Sequence, residues 1–383
     1  LSKSDLEFQE KIGSGQSGNV FKGIWKPHKR EVAIKVLNTL DLTDRKSISF
    51  RREVSTLACL SHPAVIELIG FTDENPFCII TELLTSSLKA SLKATRNRSN
   101  RDELQDNQAF ILTPSDRMII AIDVARGLQY LHERNIMHRD LKSLNVLLDK
   151  NKRARISDFG LARITSSLQQ IPLTGNIGTT PWMAPEVLIS SPAYDTRADV
   201  YSYGILLWEL VTCETPYKGI SADKIITMVL TNHRPPLPDD TPPKLADLIK
   251  KCWDANPSVR PTISEIIQKF TTQIQCTFPG ADRDYVLRTT NLTRRHSPSI
   301  SDPAKMLEGG FQSLIDAEND SKRVNRVKLE NEKNNYCLQR AIIESRRSSN
   351  NFNSNQQQHI YQNQQKRQQQ KQQSYLETYA ELH

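Results

Sequence analysis

The chain has 383 residues, 37% of them hydrophobic, and a mean hydropathy of −0.53, which fits one packed domain joined to a polar segment better than a uniform fold. Its net charge of +8 is spread out: residues 1–275 hold 35 Lys/Arg against 31 Asp/Glu and the rest 16 against 12, so no basic stripe for nucleic acid emerges. No apolar run approaches the ~18 residues of a membrane span, and six scattered cysteines without a CxxC pair read as free thiols of a reducing, cytoplasmic compartment. The opening Leu1-Ser2-Lys3-Ser4 is not a signal peptide, and the missing initiator Met hints at a processed or truncated start.

Residues 5–93 read mainly as strands with one helix. Residues 8–12 lead into a glycine cluster, 19–25 return as a strand, and 31–37 form another, with Val32, Ile34 and Val36 alternating. Residues 43–60 carry charged and apolar positions at helical spacing, and 77–81 are a short buried strand. Residues 94–108 are polar and charge-mixed, as in a surface loop or insertion. Thr113-Pro114-Ser115-Asp116 is a helix start, with an N-cap hydroxyl, a first-turn proline and an acidic residue. Ile119, Ile120, Ile122, Val124, Leu128 and Leu131 give that helix its apolar face, and 199–213 and 244–253 are further buried helices. A strand-rich first part followed by a helix-rich second part predicts two lobes around a cleft.

The composition shifts near residue 275. Residues 276–320 lack periodicity and read as an irregular linker, 321–345 as a charged candidate helix, and 346–383 as a Gln/Asn-rich low-complexity tail. Eleven of residues 355–373 are Gln, a composition that does not bury enough apolar surface to fold. Val324, Val327, Leu338, Ile342 and Ile343 are too irregular for a coiled coil, so the tail is a candidate for holding a protein partner and no more.

Gly13-Ser14-Gly15-Gln16-Ser17-Gly18-Asn19-Val20 has the pattern GxGxxGxV. On spacing alone it suits a dinucleotide fingerprint, a plain hairpin turn or a phosphate-covering hairpin. A strand rather than a helix follows it, which argues against the first. Small residues let backbone N–H groups approach an anion, as the third requires. In Val32-Ala33-Ile34-Lys35, a lysine among buried neighbours needs an anion or must snorkel to water. Glu53, on the helix that follows, is its natural partner, although alone it reads as a solvated carboxylate.

His138-Arg139-Asp140-Leu141-Lys142-Ser143-Leu144-Asn145 and, after an apolar strand, Asp158-Phe159-Gly160 resemble the signature set of the eukaryotic protein kinases. Ala184-Pro185-Glu186, the run 199–204 and Arg260 extend that resemblance, which covers residues 5 to about 272. It implies an α+β, bilobal protein kinase-like fold over 5–275, with a β-rich N-lobe holding one long helix and a mainly helical C-lobe. It implies ATP and Mg²⁺ as cofactors and a protein substrate as partner. By the same resemblance Asp140 takes the substrate hydroxyl proton, Asn145 and Asp158 hold the metal, and Lys35, positioned by Glu53, holds the α- and β-phosphates. Lys142 puts positive charge near the transferring group. Ile12, Gly13, Gly15, Gly18, Val20, Ala33, Thr81, Glu82, Leu84 and Leu147 would line the nucleotide pocket, with Thr81 as gatekeeper. Leu57, Leu68, His138 and Phe159 match the apolar column of active kinases, and Glu186 and Arg260 a buried ion pair.

Lys142 and Thr179 are as in serine/threonine kinases, whereas Trp182-Met183 is similar to tyrosine kinases. That mixture resembles the tyrosine-kinase-like group of serine/threonine kinases, with dual specificity or a catalytically weak scaffold as alternatives. A scaffold would be expected to lack one of Lys35, Asp140, Asn145 or Asp158, and all are present. Arg139 implies a basic pocket for an activation-loop phosphate, placed by an activating kinase or by autophosphorylation at Thr165, Ser166, Ser167 or Thr174. Ser17 stands where the family often has an aromatic residue, which would loosen the glycine lid. Leu144 offers no carboxylate for a basic recognition motif.

Overall fold

In the computed structural model of the chain, residues 1–15, 18–37, 45–72, 77–97, 109–164, 177–189, 194–273 and 276–292 are described, all within the unit Leu1–Phe311. Five strands open it: β1 (Leu6–Gly15), β2 (Gly18–Trp25), β3 (Arg30–Leu37), β4 (Leu68–Thr72) and β5 (Cys78–Glu82). They form an antiparallel sheet in the order β1-β2-β3-β5-β4. The alternation expected of residues 31–37 sets its two faces. Val32 and Ile34 are fully buried with Leu6, Cys78 and Ile80, while Ala33 and Lys35 turn to the opposite face and line a cleft. The glycine hairpin closes by pairing Gly15 with Gly18, which in turn pairs with Leu37. Gly18 has φ 155°, and a Cβ there would sit 2.0 Å from the Val36 carbonyl oxygen, so only glycine fits. Ser17 lies outside the described residues.

Helix α1 (Arg45–Ala58) lies against the sheet through Val54 and Leu57, which join Leu37, Phe77 and Ile79 in the main apolar cluster. The remaining helices are α2 (Leu88–Arg96), α3 (Pro114–His132), α4 (Pro185–Leu188), α5 (Arg197–Thr212), α6 (Ala222–Leu230), α7 (Pro243–Cys252), α8 (Ile263–Thr272) and α9 (Arg283–Leu292). Helix α3 begins with the expected capping box, in which Thr113 and Asp116 satisfy each other's backbone N–H. Helix α5 is buried from Ala198 through Leu210 and is tied to α3 where the Tyr203 hydroxyl donates to the Ala121 carbonyl at 2.9 Å. A helix hydrophobic on every side belongs in the centre of a lobe. Short strands frame the loop 138–145: β6 (Ser86–Ser87), β8 (Val146–Leu148) and β9 (Ala154–Ile156) form one small sheet, and β7 (Ile136–Met137) pairs with β10 (Arg163–Ile164).

Three segments differ from the sequence expectation. Residues 94–96 finish α2 instead of opening a loop; Ala94 is buried, and Thr95 accepts a hydrogen bond from the Leu112 backbone at 2.8 Å. β4 lies within residues 5–93, read mainly as strands, but is not one of the strands singled out there. After residue 275, where periodicity is lacking, α9 packs on α3. Val286 and Thr290 are its buried positions, Arg126 donates to the Thr290 carbonyl at 2.7 Å, and the Asp282 backbone donates to Ser115 at 2.9 Å. Two buried positions one turn apart are too few to raise a period in the sequence. Candidate helix 321–345 and tail 346–383 lie outside the described residues. Among the described residues, no helix is long and apolar enough to cross a membrane.

Candidate active site

A cleft of about 1490 Å³ separates the sheet from the helices. Its sheet side is lined by Ile12, Gly13, Gly18, Val20, Ala33 and Lys35, its hinge by Thr81, Glu82 and Leu84, and its helical side by Asp140, Lys142, Asn145, Leu147 and Asp158. Gly15, which ends β1, is not among the residues that line it. Residues scattered over 146 positions therefore converge because β3, α1, the loop 138–145 and the turn after β9 all end at one place.

Lys35 is held from both lobes. Its ammonium donates to both Glu53 oxygens at 2.8 Å and approaches Asp158 Oδ1 at 3.4 Å. Burial pulls the Lys35 pKa down, but the two carboxylates outweigh it and leave it above the ordinary lysine value. Asp158 is partly exposed; burial raises its pKa, yet Lys35, His138 and Lys142 together hold it below the ordinary aspartate value. It also has φ 63°, a left-handed backbone that any residue other than glycine adopts at some strain.

On the facing loop, Asp140 Oδ2 accepts from Lys142 Nζ at 2.7 Å and from Asn145 Nδ2 at 2.9 Å. Asp140 Oδ1 is buried and has no hydrogen-bond partner among the described residues. Lys142 Nζ also donates to Thr179 Oγ1 at 3.0 Å, tying this loop to the segment 177–182. Because Asn145 commits its nitrogen to Asp140, its oxygen is the atom left to ligate a cation.

Behind the loop stands Asp199, which the sequence marked only as part of a motif. One of its oxygens accepts from the His138 backbone at 2.9 Å and from His132 Nε2 at 2.9 Å; the other accepts from the Arg139 backbone at 2.8 Å. These bonds hold Arg139 at φ 68°. The Arg139 guanidinium meets the Tyr194 hydroxyl, and the proposed phosphorylation residues Thr165, Ser166, Ser167 and Thr174 lie outside the described residues. Burial pushes the Asp199 carboxyl up, but the His132 hydrogen bond, the His132 and His138 charges and the Arg139 N–H prevail, so it sits below its ordinary value. A lowered folded-state pKa stabilises above the unfolded value and loses that contribution as the pH falls through the folded one. Asp199→Asn should therefore cost about 1–3 kcal/mol near neutrality, since its amide must face a backbone N–H. Urea unfolding at stepped pH should show the gap to wild type closing below 3.8.

The apolar column is present in part as packing: His138 and Phe159 are fully buried with ring centroids 5.1 Å apart, Leu57 is buried and Leu68 packs against the same cluster. Glu186 and Arg260 pair through two bonds of 2.6 and 2.8 Å. Glu209, whose buried carboxylate joins Ser143 to Trp182, was not singled out from the sequence; a Glu within the apolar run 205–210 was the available signal. The cysteines among the described residues, Cys59, Cys78, Cys213, Cys252 and Cys276, are free thiols.

The chain is similar to a probable serine/threonine-protein kinase of Dictyostelium discoideum, 38% identical over 274 residues, covering 71% of this chain and 20% of the relative. It is 35% identical to the serine/threonine-protein kinase STY17 of Arabidopsis thaliana, covering 72% and 46%. It is 34% identical to the serine/threonine/tyrosine-protein kinase HT1 of the same plant, covering 72% and 68%. The chain thus spans from a fifth to under half of the first two relatives. The sequence model of the family described as protein tyrosine and serine/threonine kinase matches residues 6–270, the lobes that build the cleft, and the chain belongs to that family.

Proposed function

We propose that the chain transfers the γ-phosphoryl group of ATP to serine and threonine hydroxyls of protein substrates. The observation that carries this is the meeting of Asp140, Lys142, Thr179 and Asp158 from the helical side of the cleft with Lys35 and Glu53 from the sheet side. Ile12, Val20, Ala33 and Leu147 would enclose the adenine faces, with Thr81, Glu82 and Leu84 at its edge and the backbone of Gly13, Gly15 and Gly18 over the phosphates. Lys35, charged and braced by Glu53, would neutralise the α- and β-phosphates.

The donor set suits Mg²⁺, a cation that takes oxygen ligands: the Asp158 carboxylate and the Asn145 amide oxygen would hold it. When bound, the metal neutralises charge on the β- and γ-phosphates. The protein's own work is positioning. The acceptor oxygen forms a bond to the γ-phosphorus as the bond to the β–γ bridging oxygen breaks, and its proton passes to Asp140 Oδ1, the unpaired oxygen. Lys142 stands where negative charge builds on the transferring group, and Thr179 holds Lys142 there.

The Ser/Thr preference rests on the Lys142–Thr179 bond and on the names of the relatives, one of which adds tyrosine. The free thiols are in keeping with a cytoplasmic site of action. Transfer from γ-labelled ATP to casein, followed by phosphoamino-acid analysis, tests the proposal. Wild type should label serine and threonine, and Asp158→Ala should not. Equal incorporation by both sinks the catalytic reading, and phosphotyrosine alone sinks the Ser/Thr one.

A further inference from the structure

Residues 276–290 lie beyond the family match, which ends at residue 270, yet they are pinned at both ends. Cys276, Phe278, Val286 and Thr290 are buried, and the Phe278 ring meets the buried Phe270 of α8 edge-on. At the near end, the Asp282 backbone donates to Ser115 in the first turn of α3, and Arg283 donates to the Thr271 carbonyl of α8 at 2.8 Å. At the far end, the last four carbonyls of a helix have no partner of their own. Two of them here, on Thr289 and Thr290, accept from Arg153 at 3.3 Å and from Arg126 at 2.7 Å. Cations at that end also suit the helix dipole.

The two arginines come from different places. Arg126 lies on α3, so its bond fastens α9 to the helix beneath it. Arg153 stands immediately before β9. Its guanidinium also meets both oxygens of Asp123 on α3, one of them at 2.7 Å through Nε. The Asp123 carboxylate in turn accepts from the backbone of Ala154, the first residue of β9, at 3.2 Å. One fork therefore joins α9, α3 and the start of β9. That strand leads into the cleft: Ser157 follows it, and its backbone and hydroxyl donate to the Asn145 carbonyl at 2.9 and 3.0 Å. Asp158 is next in the chain.

We infer that residues 276–290 are a strap of the catalytic unit, and that Arg153 is the positioning residue that passes its docking on to β9 and to Asn145 and Asp158 beyond. The effect on phosphoryl transfer rests on the kinase reading; the strap goes beyond it, giving a role to chain outside the family match. Undocking α9 takes the Thr289 carbonyl from Arg153 and opens this side of α3. The Arg153 and Asp123 side chains are 14% and 6% exposed, and water admitted there weakens their attraction. The start of β9 then loses its anchor.

The full-length chain is compared as wild type, Val286→Asp, Arg126→Met, Arg153→Lys and Arg153→Lys/Val286→Asp, by hydrogen exchange and by transfer to casein. Val286→Asp puts a carboxylate in a fully buried position and should undock α9. Exchange should then rise about tenfold or more in 276–290 and, with it, in 153–158, while 205–210 of α5 stays as in wild type. The kcat should fall about 2- to 30-fold, the range of changes along a coupled network. Arg153→Lys keeps the charge but lacks the fork, so 153–158 should exchange faster with α9 still docked. It should add little to Val286→Asp in the double variant, because both break one link. If Val286→Asp does not fold, Arg126→Met, which removes the Thr290 bond, should show a smaller rise in the same two stretches. Wild-type exchange in 153–158 with α9 undocked overturns the inference, as does wild-type kcat despite faster exchange there. So does a wild type in which 276–290 exchanges as an unfolded chain. A wild type that transfers no phosphate overturns the kinase reading instead, and the exchange data still decide the strap.

Discussion

Asp140→Asn should lower kcat about 10²–10⁴-fold while leaving the fold and ATP affinity as they are. The geometry explains why so small a change is so damaging. At the Oδ2 position, Lys142 Nζ at 2.7 Å and Asn145 Nδ2 at 2.9 Å both donate, so an asparagine must place its oxygen there. Its amide nitrogen then occupies the Oδ1 position, where the wild type has a buried acceptor without a partner among the described residues. An acceptor hydroxyl approaching that side meets an N–H in place of a lone pair, and its proton has nowhere to go. Stopped assays on casein give kcat, and nucleotide-displacement titration gives ATP affinity. A variant within threefold of wild type in kcat would mean that the proton leaves by another route. A variant that loses ATP affinity in parallel would mean that Asp140 holds the site together rather than serving the acceptor.

How much of this was legible in the sequence depends on where each residue's partner lies. Lys35, Asp140, Asn145 and Asp158 stand in short runs whose residue types reveal their chemistry, and all four line the cleft. Lys35 was readable because alternation in β3 placed it opposite the buried Val32 and Ile34. Its bond to Glu53 needed only the helix that follows. Asp199 and Glu209 were not readable as braces. Their partners, His138 and Ser143, lie 61 and 66 positions away, and no local period connects a buried carboxylate to a loop that far off. The helix after residue 275 escaped for a different reason: it is short, and Val286 and Thr290 show as core only once α3 is in place. Local pattern thus gave the cleft wall, whereas the supports behind it are set by tertiary packing.

The largest loss of stability should come from Glu186→Ala, about 3–5 kcal/mol. The Arg260 side chain is 0% exposed, so its guanidinium lies wholly out of water. Its bonds to Glu186, 2.6 and 2.8 Å long, bring the only carboxylate paired with it among the described residues. Its other bonds go to the carbonyls of Asp254 at 2.9 Å, Arg197 at 2.9 Å and Ala255 at 3.5 Å, and its guanidinium lies 5.2 Å from the centre of the Tyr201 ring. Those neutral acceptors and that ring keep the guanidinium solvated but do not cancel its charge, so removing Glu186 strands a cation in the helical lobe. Glu186→Ala/Arg260→Met should recover part of the loss, since it removes the stranded charge and fills the space with an apolar chain. Urea unfolding followed by circular dichroism measures both variants. If Glu186→Ala costs under 1 kcal/mol, or the double variant is the less stable of the two, the pair does not work by charge compensation. A recovered double variant would locate the stability of this region in matched charge. Because Glu186 opens α4 four residues after Trp182, its kcat per folded molecule would then report how far that pair also steadies the segment bearing Thr179.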